Sequence, residues 1–277
     1  MAPVPDRIST LDLTLFEAIH SESTDSDKLS LLHLQNCIRS GGDYSYLEIG
    51  SYMGGSLQPY YADSVCTRIY SIDKRPAFMP DERGRLFSYP RSENSTQAML
   101  ANLSRAFLAV SGAKVQTFDC DAGDLDPAAF GDRPRLCFID GEHTDGAAYS
   151  DFRFCLKVVD QDGIIAFHDA DVVFNAIMRA ESELSAQSIK FKGMVLGGCV
   201  YAILLNGAVE ACSARLQRIQ QDREQYFRKA SEKLARIRSE NRHNKIGKLR
   251  DWLSNYPRLY DFLRETKGVV TRGIDKS

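Results

Sequence analysis

Five acidic side chains stand where short apolar runs give way to loops: Glu48, Asp73, Asp121, Asp140 and Asp169. Two imidazoles accompany them, His143 three positions after Asp140 and His168 directly before Asp169. Carboxylates can accept hydrogen bonds from ribose hydroxyls, hold a cation or orient an imidazole, and an imidazole can take a proton from a hydroxyl at neutral pH. Between Glu48 and Ser56 the chain reads Glu-Ile-Gly-Ser-Tyr-Met-Gly-Gly-Ser. Gly50 allows close backbone approach, Gly54 and Gly55 allow tight packing or positive φ, and Ser51 and Ser56 bring hydroxyls to a turn that opens a helix. A dinucleotide-binding turn requires G-x-G-x-x-G, and Tyr52 stands at the middle glycine. That substitution disfavours the alternative of a nicotinamide-dependent oxidoreductase. The spacing suits a phosphate-free cofactor whose amino-acid part needs a carboxylate nearby. Asp73 follows Gly50 by 23 residues, a distance suited to binding both hydroxyls of a ribose.

The elements that must carry these residues alternate. Tyr46–Ile49, Arg68–Ile72, Lys114–Phe118, Arg135–Ile139 and Gly163–Phe167 read as strands, with helical stretches over 95–110 and 145–159. Such alternation builds a parallel sheet covered on both faces, and its ligands gather outside the carboxyl ends of the strands. Lys192–Leu196 and Cys199–Leu205 around Gly197-Gly198 break the alternation and read as an antiparallel hairpin. The expected fold class is therefore α/β, a Rossmann-like doubly wound sheet of seven strands with a C-terminal antiparallel hairpin. Residues 1–42 form an N-terminal helical segment, with helix expected over 10–40 around a polar break at 21–27, 43–207 form the central domain, and 208–277 form a basic helical extension.

Composition sets limits on the rest. The chain has 277 residues, 43% apolar and 26% charged, which is enough to bury a large core. No apolar run reaches 18 residues, the first residues lack a secretory pattern, and the seven cysteines are odd in number without a C-x-x-C pair. A cytoplasmic protein with reduced thiols is expected. The net charge of −2 conceals a division. Residues 211–277 carry 17 Lys and Arg against 8 Asp and Glu, while the other 210 residues carry 18 against 29. In the tail, Val209, Cys212, Leu216, Ile219, Tyr226, Ala230, Leu234 and Ile237 make one apolar stripe, and Ile246, Leu249, Trp252, Leu253, Tyr256, Leu259, Tyr260 and Leu263 a second, broken at Pro257. Helices making a homo-oligomer, or peripheral contact with an anionic membrane face, fit this pattern. Nucleic-acid binding is disfavoured because no binding motif accompanies the charge. Residues 74–95 form a long insertion that sets Phe78, Phe87 and Tyr89 among Arg83, Arg85 and Arg91. It reads as a lid over a sugar or anionic acceptor.

Phe138-Ile-Asp-Gly-Glu-His143, followed by Tyr149 and Asp151 and then by Gly163-Ile-Ile-Ala-Phe-His-Asp169, resembles the family 24 branch of the class I S-adenosylmethionine (SAM) dependent methyltransferases. That branch is related to macrolide and aminocoumarin sugar O-methyltransferases and, more remotely, to catechol-type enzymes. The resemblance spans roughly residues 40–207. It implies methyl transfer from SAM to a hydroxyl of a small molecule or glycan. It places Glu48, Gly50 and Ser56 at the methionine end of SAM, with Ser51 and Gly54 in the same turn. Asp73 falls at the ribose, Asp121 near the adenine, and Asp140 beside the sulfonium. In metal-dependent relatives a divalent cation, magnesium, manganese or similar, lies where this chain has Asp140, His168 and Asp169. Catechol-type enzymes show Asp-Asn where this chain shows His-Asp, a change that moves the site away from magnesium. His143 is the expected general base, with Glu142 the alternative. A structural hydrogen bond from His143, or an orienting role for His168 toward Asp169, competes with these roles. A non-catalytic SAM-binding scaffold also fits the same residues.

Overall fold

The computed structural model describes residues 3–90 and 92–254, with side chains through residue 241. The apolar stripe from Ile246 to Leu263, and the break expected at Pro257, lie outside the described side chains. Seven strands form one sheet: β1 (Tyr44–Ile49), β2 (Cys66–Ile72), β5 (Val115–Phe118), β6 (Leu136–Ile139), β7 (Ile164–Phe167), β8 (Phe191–Val195) and β9 (Tyr201–Leu205). Their order is β5-β2-β1-β6-β7-β9-β8. The first five pair in parallel, whereas β9 runs antiparallel between β7 and β8. A separate two-stranded hairpin, β3 (Phe78–Pro80) with β4 (Leu86–Ser88), rises from the 74–95 insertion.

Side-chain parity divides the core into two layers, because successive residues of a strand face opposite sides. Tyr46, Phe138, Ala166 and Leu204 pack on one face, beneath α1 (Val4–Ser9), α2 (Asp25–Arg39), α3 (Gln58–Ala62) and α7 (Gly207–Leu216). Leu47, Ile139, Phe167 and Ile203 pack on the other, against α5 (Asp145–Val158) and α6 (Phe174–Ala186). Glu48 shares the parity of Tyr46 and therefore enters the first layer. The other α-helices among the described residues are α4 (Thr96–Ala106) and α8 (Arg223–Ser254). Two compact units are distinguished, Met1–Ser231 and Glu232–Ser277. All seven cysteines are free thiols, and no described helix is long and apolar enough to cross a membrane.

Two expectations change. Residues 10–19 are not a regular helix: Leu11 takes φ +60, the Asp12 carboxylate accepts the Thr14 amide, and a single 3-10 turn covers Leu13–Phe16. Leu15, Phe16 and Ile19 are buried all the same, and the Gln58 side chain satisfies backbone groups of Phe16 and Ile19. Its amide donates to the carbonyls of Phe16, Ile19 and Gly55, and its oxygen accepts the Ile19 amide. The stripe from Val209 to Ile237 is also not one helix. Gln221 donates its amide to Val195 O, and Asp222 caps the new helix by accepting the Gln225 amide, so α8 starts afresh at Arg223.

Candidate active site

The carboxyl ends of β1, β2, β5, β6 and β7 share one rim of the sheet, since those strands run parallel. Gly50 follows β1 at φ +93, and a Cβ there would meet Asp140 O at 2.1 Å. No other residue fits, so the turn lies directly on the loop after β6. Gly55 carries a second close approach, where a Cβ would meet His20 O at 2.3 Å. Glu48 lies beneath this turn, fully buried. It accepts hydrogen bonds from Tyr46 Oη and Ser56 Oγ, both at 2.5 Å. Burial outweighs those two bonds and pushes its carboxyl up to about 8. Ser51 Oγ is paired with Ser71 Oγ at 2.5 Å.

Asp73 sits at the end of β2 with its oxygens already in use. Oδ2 accepts the Tyr52 amide at 3.0 Å and Oδ1 the Arg75 amide at 2.8 Å, while Arg75 Nη1 lies 3.2 Å from Oδ2. The carboxylate therefore clamps the glycine-rich turn to the β2 exit while it faces the cavity. Two hollows meet here, of about 320 and 370 Å³, sharing Gly50, Asp73, Met79 and Gly141. Asp121 and Glu142 line the second hollow, bridged by Lys74 Nζ at 3.2 and 3.3 Å. Thr144 Oγ1 also donates to Glu142 at 2.8 Å. Glu142 thus points away from the hollow that contains the imidazoles. Asp151 stands at the base of the second hollow, its carboxyl raised to about 7 by burial and by Asp121.

The first hollow holds Asp140, His143, His168 and Asp169 together. His143 Nε2 lies 3.1 Å from Asp169 Oδ2, and its Nδ1 is buried without a hydrogen-bond partner. His168 Nδ1 lies 3.0 Å from Asp140 and 3.1 Å from Asp169, and its Nε2 faces Asp27 at 3.5 Å and Cys199 Sγ at 3.4 Å. Burial alone would lower the pKa of His168, but Asp140, Asp169 and Asp27 raise it well above the ordinary value. His168 is thus a buried cation bonding two carboxylates from below. Asp169, at φ +49, is correspondingly held far below the usual carboxylate range: burial opposes this, and the two imidazoles overcome it. Ligand atoms of Asp140, His143 and Asp169 lie within 4.8 Å of one another, a spacing that a cation could bridge.

Two walls complete this hollow. His20, Ser21, Glu22 and Ser23 come from the N-terminal segment, and Arg83, Arg85, Phe87 and Tyr89 from the β3–β4 hairpin. The hairpin is tied to the base: Glu82 donates its amide to His143 O at 2.9 Å, and the Phe87 ring meets His143 edge-on at 6.0 Å.

Residues 47–170 match the profile of a family described as a methyltransferase domain. Over that segment the chain is similar to a methyltransferase domain. A search of the curated proteins finds no match to the sequence. Among solved structures, the O-methyltransferase TomG from Streptomyces achromogenes aligns at 14% identity over 75% of this chain and 91% of its own, with a TM-score of 0.48. CalS11, a TDP-rhamnose 3'-O-methyltransferase of calicheamicin biosynthesis, aligns at 18% identity over 74% and 87%, with a TM-score of 0.47. The N-methyltransferase NodS from Bradyrhizobium japonicum aligns at 13% identity over 67% and 99%, with a TM-score of 0.42.

Sequence reasoning missed three contributors to the candidate site. His20 lines the first hollow. Asp27, the N3 residue of α2, accepts the Cys199 amide at 2.8 Å and approaches His168 across the fold. Lys74 joins Asp121 to Glu142. The first two lie upstream of the matched segment, and no local pattern announces a partner so far along the chain.

Proposed function

We propose that this methyltransferase transfers the methyl group of SAM to a hydroxyl of a small molecule or glycan, with His143 as the general base. The observation that carries this reading is the buried, unpartnered Nδ1 of His143 on a ring whose Nε2 is held by Asp169. An ionised Asp169 fixes the proton on Nε2, leaving the Nδ1 lone pair as proton acceptor. A buried polar atom without a partner costs free energy, and an acceptor hydroxyl would satisfy it. His168, bonded to both Asp140 and Asp169, holds the two acids in place.

The site suits SAM in its shape. Gly50 and Gly55 line the first hollow in a turn packed directly on the Asp140 and His20 carbonyls, and Asp73 presents a carboxylate to both hollows. SAM supplies an electrophilic methyl on a sulfonium when bound. The chain orients the acceptor oxygen, removes its proton and excludes water; Glu48 supports the turn through Ser56 rather than touching the cofactor itself. Asp121 and Asp151 would meet the adenine in the second hollow.

The grouping of Asp140, His143 and Asp169 favours a second reading, in which these three side chains hold a divalent cation and lower the pKa of the acceptor hydroxyl. His143 would then be a ligand, and His168 would support the two acids. One experiment separates the readings: methyl transfer measured with and without excess EDTA, beside His143→Ala. General-base catalysis predicts unchanged turnover in EDTA and a fall in kcat of about 10²- to 10⁴-fold in the variant, with SAM affinity retained. Reversible loss in EDTA, restored by manganese, selects the cation. Full activity in both arms would reject His143 altogether.

A further inference from the structure

We propose that the β3–β4 hairpin builds an oxyanion subsite, so that the acceptor carries a carboxylate or phosphoryl group at the end away from its reacting hydroxyl. The inference rests on the O-methyl transfer reading and adds the substrate class.

The turn of the hairpin reads Asp81-Glu82-Arg83-Gly84-Arg85, two acids and two bases. The structure sorts their charges. Asp81 is buried and turned inward, accepting Arg83 Nε at 2.5 Å and the Arg85 amide at 2.8 Å, and a backbone bridge joins it to His143. Glu82 is directed to α5, where its carboxylate accepts the Asp145 amide at 2.9 Å. Both acids are thereby committed to structure, and both arginines reach the wall of the first hollow. Among the described residues, no acid pairs with the Arg85 guanidinium. Phe87 and Tyr89 line the same wall, and Tyr89 packs edge-on against Tyr52 at 5.2 Å.

A guanidinium without a carboxylate partner, presented by a pinned turn on an aromatic wall, is the donor arrangement that recognises planar or tetrahedral oxyanions. The same hollow also carries Asp140 and Asp169, which repel an anion. In the proposed pose an anionic acceptor binds with its charged group at Arg85 and its neutral hydroxyl at His143. Orientation of this kind brings the reacting atoms together without further machinery.

The test titrates inorganic phosphate and benzoate into wild-type protein saturated with S-adenosylhomocysteine, and then into Arg85→Gln and Arg85→Lys. Because Asp81 holds the turn through the Arg85 backbone amide, substitution of the side chain leaves the turn intact. Binding of either probe is expected to weaken at least tenfold in Arg85→Gln and less in Arg85→Lys, with S-adenosylhomocysteine affinity unchanged. The tighter probe distinguishes a phosphoryl from a carboxylate source. Equal binding by wild type and Arg85→Gln, or no binding of either probe by the wild type, overturns the subsite. A fall in S-adenosylhomocysteine affinity in Arg85→Gln also overturns it, because Arg85 would then serve the cofactor's own carboxylate. Normal turnover by His143→Ala would instead reject the general-base reading and leave the Arg85 result standing.

Discussion

Glu48 and Asp169 occupy comparable positions, each an acid at the carboxyl end of a parallel strand, and they end in opposite states. Glu48 meets only hydroxyls, Tyr46 and Ser56, in a fully buried site, so its carboxyl is raised to about 8 and stays protonated at neutral pH. Asp169 meets two imidazoles, and its charge persists far into the acid range. The same functional group thus supports a turn in one place and pairs with two imidazoles in the other. Partners rather than topological position decide the role, because burial favours the neutral acid until a cation is supplied.

The largest expected effect follows from removing that charge. Asp169→Asn leaves Nε2 of His143 and Nδ1 of His168 facing a neutral amide, so the tautomer that frees Nδ1 of His143 is no longer enforced. Methyl transfer should fall by about 10²- to 10⁴-fold at saturating SAM, with SAM affinity within a few-fold of wild type. An Asp169→Asn enzyme that turns over normally would place Asp169 with Glu48, as a structural acid, and the contrast between them would disappear.

Asp73 lies between these extremes, ion-paired to Arg75 yet facing the cavity. Asp73→Ala removes the carboxylate expected to bind the ribose and also releases Tyr52 N and Arg75. SAM binding should weaken by about 1.5–3 kcal/mol, roughly 10- to 150-fold, read by calorimetry. Retention of the wild-type dissociation constant in a folded variant would show that Asp73 serves only the turn.

The fold was far more legible in the sequence than this division of roles. Short apolar runs at β1, β2, β5, β6 and β7 and the Gly197-Gly198 turn are local patterns, and parity alone assigns Leu47 and Tyr46 to different layers. The insertion's mix of rings and arginines marked it as more than a tether, and it folds as a hairpin against the loop after β6. What stayed hidden depends on distant partners. Gln58 replaces helix hydrogen bonds for Phe16 and Ile19, 42 and 39 residues away, so periodicity over 10–19 misleads. Asp27 reaches the Cys199 amide across 172 residues. An acid before a glycine turn, Glu48, is visible in sequence, whereas the two hydroxyls that enclose it become evident only in three dimensions.

The smallest effect on function is expected at Glu48, and it sharpens the comparison through stability rather than turnover. Glu48→Gln resembles the protonated side chain in shape, although one of the two hydroxyls must reorient around the amide, at a cost of about 1 kcal/mol. SAM affinity and methyl transfer at pH 7 should change by no more than a few-fold. The sign of the pH effect follows from the raised pKa. Below pH 4.5 the acid is protonated in both folded and unfolded chains; between 4.5 and about 8 only the folded chain retains the proton, so stability falls as pH rises. At about 1.4 kcal/mol per pH unit, the loss across that window is on the order of 5 kcal/mol and stops above pH 8. The glutamine cannot titrate. Denaturant unfolding of both proteins from pH 5 to 9 should therefore show the variant gaining on the wild type up to about pH 8 and running parallel beyond it. Parallel curves throughout would mean that Glu48 is ionised in the folded state. It would then belong with Asp169, and a cationic partner would have to be found for it.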